Sequence, residues 1–177
     1  MTCLALLGLT PSAAGPEAAV ETIPCPNGSV LIGFTGWQGR WMEGIEGHCA
    51  RIGADGRIDP AAPVSTARAG GIGHAAQTTS RTVLCGGRKV VTGFAGEKDR
   101  HVWDIHAIQC TDFEPARRVA AGAPVWRPAF SHRSQGRALA QFCLDGRVAF
   151  GMTVETGSGA LDHFNLSCGF APGAGEP

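Results

Sequence analysis

Three stretches of the chain repeat one cysteine-framed pattern, and a fixed internal period constrains the fold more than any other feature. They are CPNGSVLIGFTGWQGRWMEGIEGHC (25–49), CGGRKVVTGFAGEKDRHVWDIHAIQC (85–110) and CLDGRVAFGMTVETGSGALDHFNLSC (143–168). Eight residues after each opening Cys stands Gly33, Gly93 or Gly151, followed by a large apolar residue, Phe34, Phe94 or Met152. Six residues before each closing Cys stands an acid, Glu43, Asp104 or Asp162. The opening cysteines lie 60 and then 58 residues apart. Such a period means one supersecondary unit used three times.

With 177 residues the chain can bury one core. Its 26 Gly and 11 Pro, with only 17% charged residues, suit a turn-rich β protein with little room for long helices. Fifteen basic residues balance fifteen acids, so no basic field exists to attract nucleic acid. No run approaches the 18 apolar residues of a transmembrane segment. The expected organisation is a signal-like or disordered segment over 1–19, one domain over 20–170 and a flexible tail over 171–177.

Six of the seven cysteines fall into the repeats as like-spaced pairs. The seventh, Cys3, lies in MTCLALLGLTPSAA, a short apolar run ending in the small residues Ser12-Ala13-Ala14. It resembles the end of a secretory signal, although the positive start is missing. Cleavage after Ala14 removes Cys3 and leaves an even count, which reads as disulfides in a secreted or periplasmic protein. Zinc is disfavoured, because no C-x-x-C occurs.

Repeat 2 reads as a hairpin: Lys89 to Ala95 outward, Gly96 to Arg100 as the turn, Val102 to Gln109 returning. In an antiparallel hairpin the first outgoing residue faces the last returning one. Those residues are the cysteines, so the pairs Cys25–Cys49, Cys85–Cys110 and Cys143–Cys168 follow. Each bridge closes a loop of about 25 residues, worth roughly 3 kcal/mol in the chain-entropy treatment. The recurring glycine marks a bulge or a close backbone approach. Phe34, Phe94 and Met152, with Val30, Val90 and Val148, form the expected core face. Three such faces on a pseudo-threefold axis make a triangular prism of three sheets. Segments 50–84 and 111–142 are too long for bare loops and carry two further strands each, with strand-like pieces at Ser80–Leu84 and Arg137–Phe142. Gly70-Gly71-Ile72-Gly73 reads as a flexible crossing between sheets.

The pattern C-x-x-G-x-V-x-x-G-F, then G, then D-x-[IF]-x-L-x-C resembles the β-prism proteins: the jacalin-related lectins and the vitelline membrane outer layer protein. The stretch Thr156 to Phe164 looks like the final hairpin of the lectins, and the paired cysteines look like the vitelline repeats. The resemblance covers about residues 25–170. It implies an all-β fold, a β-prism of three Greek-key-like antiparallel sheets with pseudo-threefold symmetry. It also implies a glycan or cell-surface carbohydrate as partner, with no cofactor. In the lectins the sugar is held by G-x-x-x-D. Here Gly39-Arg-Trp-Met-Glu43 has the glycine but a Glu. Arg100-His-Val-Trp-Asp104 and Ser158-Gly-Ala-Leu-Asp162 have the Asp without the glycine in place.

The candidate ligand-binding residues are therefore Gly39, Trp41, Glu43, Asp104, Gly159 and Asp162. A carboxylate accepts two hydrogen bonds from sugar hydroxyls, and an indole at a turn stacks on a sugar face. The competing reading is that each acid pins its own hairpin turn and that Trp37, Trp41 and Trp103 cap the prism. His101, Asp104 and His106 with His163 form an incomplete metal set. No G-x-S-x-G, H-E-x-x-H or P-loop motif occurs, and the repeat cysteines are all committed to bridges. Asn27-Gly-Ser29 and Asn165-Leu-Ser167 match the glycosylation sequon. The expected function is a secreted, non-enzymatic carbohydrate-binding module. The alternative is a structural or envelope-associated protein with no sugar site, and behind both stands a carbohydrate-active enzyme.

Overall fold

The computed structural model describes residues 19–71, 78–130, 136–157 and 159–171. They form eleven strands and no helix: β1 (Ala19–Pro24), β2 (Ser29–Gln38), β3 (Met42–Ile52), β4 (Ile58–Gly70), β5 (Thr79–Leu84), β6 (Lys89–Lys98), β7 (Val102–Glu114), β8 (Val119–Pro128), β9 (Arg137–Phe142), β10 (Val148–Gly157) and β11 (Ala160–Gly169). Three antiparallel sheets result, ordered β4-β3-β2-β5, β8-β7-β6-β9 and β1-β10-β11. In the two four-stranded sheets, three consecutive strands form a meander. The fourth returns beside the first, which is a Greek key. The expected all-β prism is found, and its third sheet has three strands among the described residues.

The sheets exchange strands. β5 pairs with β2 of the first repeat and β9 with β6 of the second. β1, at the start of the described chain, pairs with β10 of the last repeat. Each opening cysteine follows such a crossing strand. The amides of Cys25, Cys85 and Cys143 donate to the carbonyls of Phe150, Ile32 and Thr92, at 2.7, 2.8 and 2.8 Å. Those three acceptors immediately precede Gly151, Gly33 and Gly93, where the hairpin register shifts by one residue. The glycine is thus both a bulge and a close approach. A Cβ on Gly33 would collide with the Val83 carbonyl oxygen and stand 2.8 Å from Leu84 Cα. One on Gly151 would stand 2.7 Å from the Ile23 carbonyl oxygen.

The three expected disulfides are present, with Cα–Cα separations of 5.8, 5.4 and 5.4 Å. Their register differs from the simple hairpin. Cys49, Cys110 and Cys168 lie opposite Leu31, Val91 and Ala149, not opposite the opening cysteines. A tight turn, closed by Ser29 N to Pro26 O at 3.0 Å in the first copy, separates each opening Cys from its hairpin. Each bridge therefore joins a crossing strand of one sheet to the hairpin of the next.

The bulge also divides the core. Leu31, Phe34, Val91, Phe94, Ala149 and Met152 belong to the main buried cluster. Val30, Val90 and Val148 do not share that cluster, contrary to the simple alternation. They sit in a second one with Ile32, Ala50, Ile58, Phe113 and Ala171. Residues that simple alternation places on one face end on opposite faces when a bulge lies between them. Phe164 joins the sheets: its ring lies 5.6 Å from that of Phe34 and 4.8 Å from that of Phe94, both edge-on. One further correction concerns a connection. Gly70 ends β4, and β4 and β5 are the two edges of one sheet, so the glycine-rich stretch bridges within a sheet rather than between sheets. Ala171 is buried. Residues 1–18 of the signal-like segment 1–19, Ile72, Gly73 and residues 172–177 lie outside the described residues.

Cross-strand partners share a sheet face, so the outer faces read as rows. On the first sheet one row is Thr82, Thr35, Glu46, Arg68. On the second the same row is Ala140, Ala95, Ala107, Pro128. On the third it is Thr22, Thr153, Asn165. The first face is laced by hydrogen bonds: Thr35 Oγ1 lies 2.7 Å from Thr82 Oγ1 and 2.6 Å from His48 Nε2, and Ser65 Oγ lies 3.3 Å from His48 Nδ1. Partial burial lowers the pKa of His48, with Glu46 opposing that shift. The folded state thus favours the neutral ring, and its stabilisation is lost as pH falls from above 6.5 through the lowered value. His48→Gln should flatten that arm of a stability–pH profile, read by thermal melts between neutral and acid pH.

Two substitutions report on the frame. Phe94→Ala empties a fully buried site at the meeting of the sheets and should cost about 3–5 kcal/mol. Gly33→Ala drives a methyl into backbone and should cost at least about 2–3 kcal/mol. Denaturant melts measure both. Parent-like melting of Gly33→Ala would mean that β5 does not cross where the structure places it.

Candidate functional site

At one end of the prism three hairpin tips, one per sheet, meet. Loops 39–41 and 99–101 are the same turn, closed by Gly39 N to Trp41 O and Asp99 N to His101 O, each 3.0 Å. The third hairpin turns tighter, since Gly157 pairs directly with Ala160. The tips touch through side chains. The Trp41 ring lies 5.0 Å from that of His101 and 6.1 Å from that of Trp103. His101 Nδ1 pairs with Asp162 Oδ1. Lys98 Nζ lies 3.3 Å from the Asp162 carbonyl oxygen and 3.1 Å from His163 Nδ1. The Gln38 side-chain amide donates to the Trp103 carbonyl at 3.3 Å.

The three repeat acids are not equivalent. Just inside each tip the returning strand carries a one-residue bulge. Register assigns that position to Glu43, Trp103 and Asp162. Repeat 2 carries an additional shift at His106, which moves Asp104 one place inward, opposite Glu97. Asp104 is consequently only 4% exposed, while Trp103 takes the place held elsewhere by a carboxylate. His106 is exposed, so it and Asp104 do not share an accessible face.

The two tip carboxylates are held alike. A Cβ on Gly39 would collide with Glu43 Oε1, and one on Gly157 with Asp162 Oδ2. Glycine at these positions is what lets a carboxylate fold over the turn. The glycine expected to be missing from repeat 3 is therefore present, five residues before its acid instead of four. The tighter turn and the shorter Asp make up the difference. Gly159 is exposed at the tip with φ +84°, and a Cβ there would meet open space. Glu43 Oε2 accepts the Thr78 hydroxyl at 2.7 Å, and the Glu43 carbonyl accepts the Gly71 amide at 2.9 Å. Side-chain exposure at the central pair is 12% for His101 and 22% for Asp162.

Of the six expected site residues, then, Gly39, Trp41, Glu43, Gly159 and Asp162 lie at the hairpin tips, and Asp104 is withdrawn. Trp41 is half-buried, with the Arg40 guanidinium 4.9 Å above its ring. Trp37 lies on the outer face of the first sheet beneath the Arg68 guanidinium, 4.1 Å away. His101 and Lys98 are the tip residues that sequence reasoning missed as partners of Asp162; they come from another repeat, and no spacing signals the contact. No group of three His, Cys, Asp or Glu side chains suited to a metal ion occurs among the described residues.

No family model and no curated protein matches the chain. Solved structures do match its fold. A prostate-specific WGA16 glycoprotein lectin is similar at TM-score 0.55 and 10% identity, over 92% of this chain and 97% of that one. The agglutinin of Calystegia sepium is similar at TM-score 0.52 and 15% identity, over 93% and 95%. The Calsepa lectin, solved with a biantennary N-glycan, is similar at TM-score 0.55 and 15% identity over the same shares. At such identities the likeness establishes a lectin-like β-prism fold.

Gly157→Ala tests the tip geometry. The added methyl displaces a carboxylate end rather than backbone, so the loss should be about 1 kcal/mol, well below that of Gly33→Ala. Denaturant melts compare the two, and equal losses would mean that the tip backbone itself has to move.

Proposed function

We propose that the chain is an extracytoplasmic, non-enzymatic glycan-binding module whose ligand seats at the hairpin-tip end, between Asp162 and Trp41. The observation that carries this reading is the Asp162 carboxylate folded over Gly157 beside an aromatic cluster, on a prism shared with lectins. Asp162 Oδ1 is engaged by His101, so Oδ2, over the glycine, is the acceptor for a sugar hydroxyl. His101 fixes the carboxylate, which lowers the ordering cost on binding. Lys98 donates to ring or hydroxyl oxygens, and Trp41 offers its face to the C–H side of a pyranose. The Glu43 turn, with Gly39, is the second edge of the seat. Three disulfides, stable in an oxidising compartment, support secretion or periplasmic residence. The described residues contain no helix long and apolar enough to cross a membrane.

One observation favours a second reading, a structural protein without a sugar site. Glu43 and Asp162 each already have an intramolecular partner, Thr78 and His101. A glycan array on the protein, followed by titration calorimetry with the best hit, separates the two. Trp41→Ala and Asp162→Asn should each weaken binding about 10–100-fold, or roughly 1–3 kcal/mol, with circular dichroism unchanged. An empty array favours the structural reading. Turnover of a bound glycan would favour an enzyme.

A further inference from the structure

At the end of the prism opposite the hairpin tips, the third repeat departs from the other two at matched positions. The residue just before each bulged glycine is Ile32, Thr92 or Phe150. Ile32 and Thr92 are 2% and 3% exposed, whereas Phe150 is 37% exposed. Four residues past each opening cysteine stand Ser29, Lys89 and Arg147. Two residues past each closing cysteine stand Arg51, Asp112 and Phe170, so an exposed aromatic ring takes a place that elsewhere carries a charge. In the second repeat the last two of these positions form an ion pair, with Lys89 Nζ 2.6 Å from Asp112 Oδ2. The third repeat keeps the cation and lacks the carboxylate. The Arg147 guanidinium stands instead 5.6 Å from the Phe170 ring centroid, and it forms no ion pair among the described residues.

Phe150 and Phe170 line a cavity of about 350 Å³, closed on its other side by the turn from Pro24 to Ser29. Its walls are fixed before any ligand arrives. Phe150 lies over Gly169, where a Cβ would stand 2.7 Å from the ring. The Phe150 carbonyl accepts the Cys25 amide at 2.7 Å, the Ser29 amide donates to the Pro26 carbonyl at 3.0 Å, and Cys25 is bridged to Cys49. Such preorganisation lowers the cost of binding. The volume falls at the low end of the roughly 300–1,000 Å³ of small-ligand sites, which suits a single ring rather than a long chain.

We infer that this cavity binds a carboxylate-bearing pyranose, the chemistry of a uronic acid, at a second site separate from the hairpin tips. The ligand carboxylate takes the part that Asp112 plays in the second repeat. Arg147 is its partner, with a planar fork that matches a carboxylate through two parallel hydrogen bonds. The C–H face of the ring lies on Phe150 and Phe170. The exposed Asn27 carboxamide both donates to and accepts from the hydroxyls. A neutral sugar leaves Arg147 without its anion, and an apolar carboxylate leaves Asn27 unused, so the site selects the ligand that carries both groups.

Titration of the full chain with sodium glucuronate, followed by amide NMR shifts, reads the site directly. Shifts should gather at Asn27, Gly28 and Phe170, with a dissociation constant of about 0.1–10 mM for an open one-ring site. Glucose, which lacks the carboxylate, and benzoate, which lacks the hydroxyls, should each bind at least about tenfold more weakly. Phe170→Asp rebuilds the ion pair of the second repeat and removes one wall, and it should weaken glucuronate binding at least about tenfold. Arg147→Gln should weaken it comparably and spare the fold, because the side chain is exposed. Lys89→Gln, at the matching place in the second repeat, should leave binding unchanged. Absence of shifts up to about 50 mM, or binding indifferent to both third-repeat variants, overturns the proposal. So does glucose or benzoate binding as tightly as glucuronate, which removes the case for a sugar acid. A response abolished by Asp162→Asn and kept in both third-repeat variants also overturns it, because the ligand then sits at the tips. Failure of the tip site in an array leaves this site standing, so the two readings fail separately.

Discussion

Everything in this structure depends on one contact made three times: a crossing strand laid against a bulged glycine of the neighbouring hairpin. At Gly33 the incoming backbone of Val83 and Leu84 occupies the space that a side chain would need. The next residue, Cys85, gives its amide to the Ile32 carbonyl and its sulfur to Cys110. One short segment thus pairs with the sheet behind it and is bonded covalently to the sheet ahead. Because β1 closes the last sheet, the exchange runs round the axis and ties the first described strand to the final hairpin. The contacts that close the prism are therefore long-range, and such contacts form only after a large loss of chain entropy. The disulfides lessen that loss by linking each crossing point to its hairpin beforehand.

Much of this frame was legible because the forces that set it leave marks in every copy. The cysteine pairing, the recurring glycine and strands β5 and β9 follow from spacing and alternation. What stayed hidden traces to the same bulges. A bulge adds one residue to one strand and reverses the faces beyond it. Alternation alone therefore put Val30 on the face of Phe34, when Leu31 holds that place. The strand exchange left no mark either. The pattern of TSRTVL suits an edge strand of either sheet, and only the fit against Gly33 selects one.

The candidate site was half legible for a related reason. The three acids stand at equal distances from their closing cysteines, yet an extra bulge at His106 and a shorter third turn break the equivalence. Asp104 is pulled inward and Trp103 replaces it at the tip. Counting four residues back from Asp162 finds Ser158, whereas the glycine that admits the carboxylate is Gly157, one further. The partners that hold Asp162, His101 and Lys98, come from another repeat more than 60 residues away. A linear pattern carries no trace of a contact made across a pseudo-threefold axis.

That axis sorts structural features from functional ones. What all three copies share answers a force common to all three, as the glycine bulge and the disulfide do. What one copy has alone needs a cause of its own. The His101–Asp162 pair and the Trp41 cluster are asymmetric at the tips, and the alanine row with Trp126 is asymmetric on the flanks. The two lie apart, one at an end of the prism and one on a side. The two departures therefore call for separate causes.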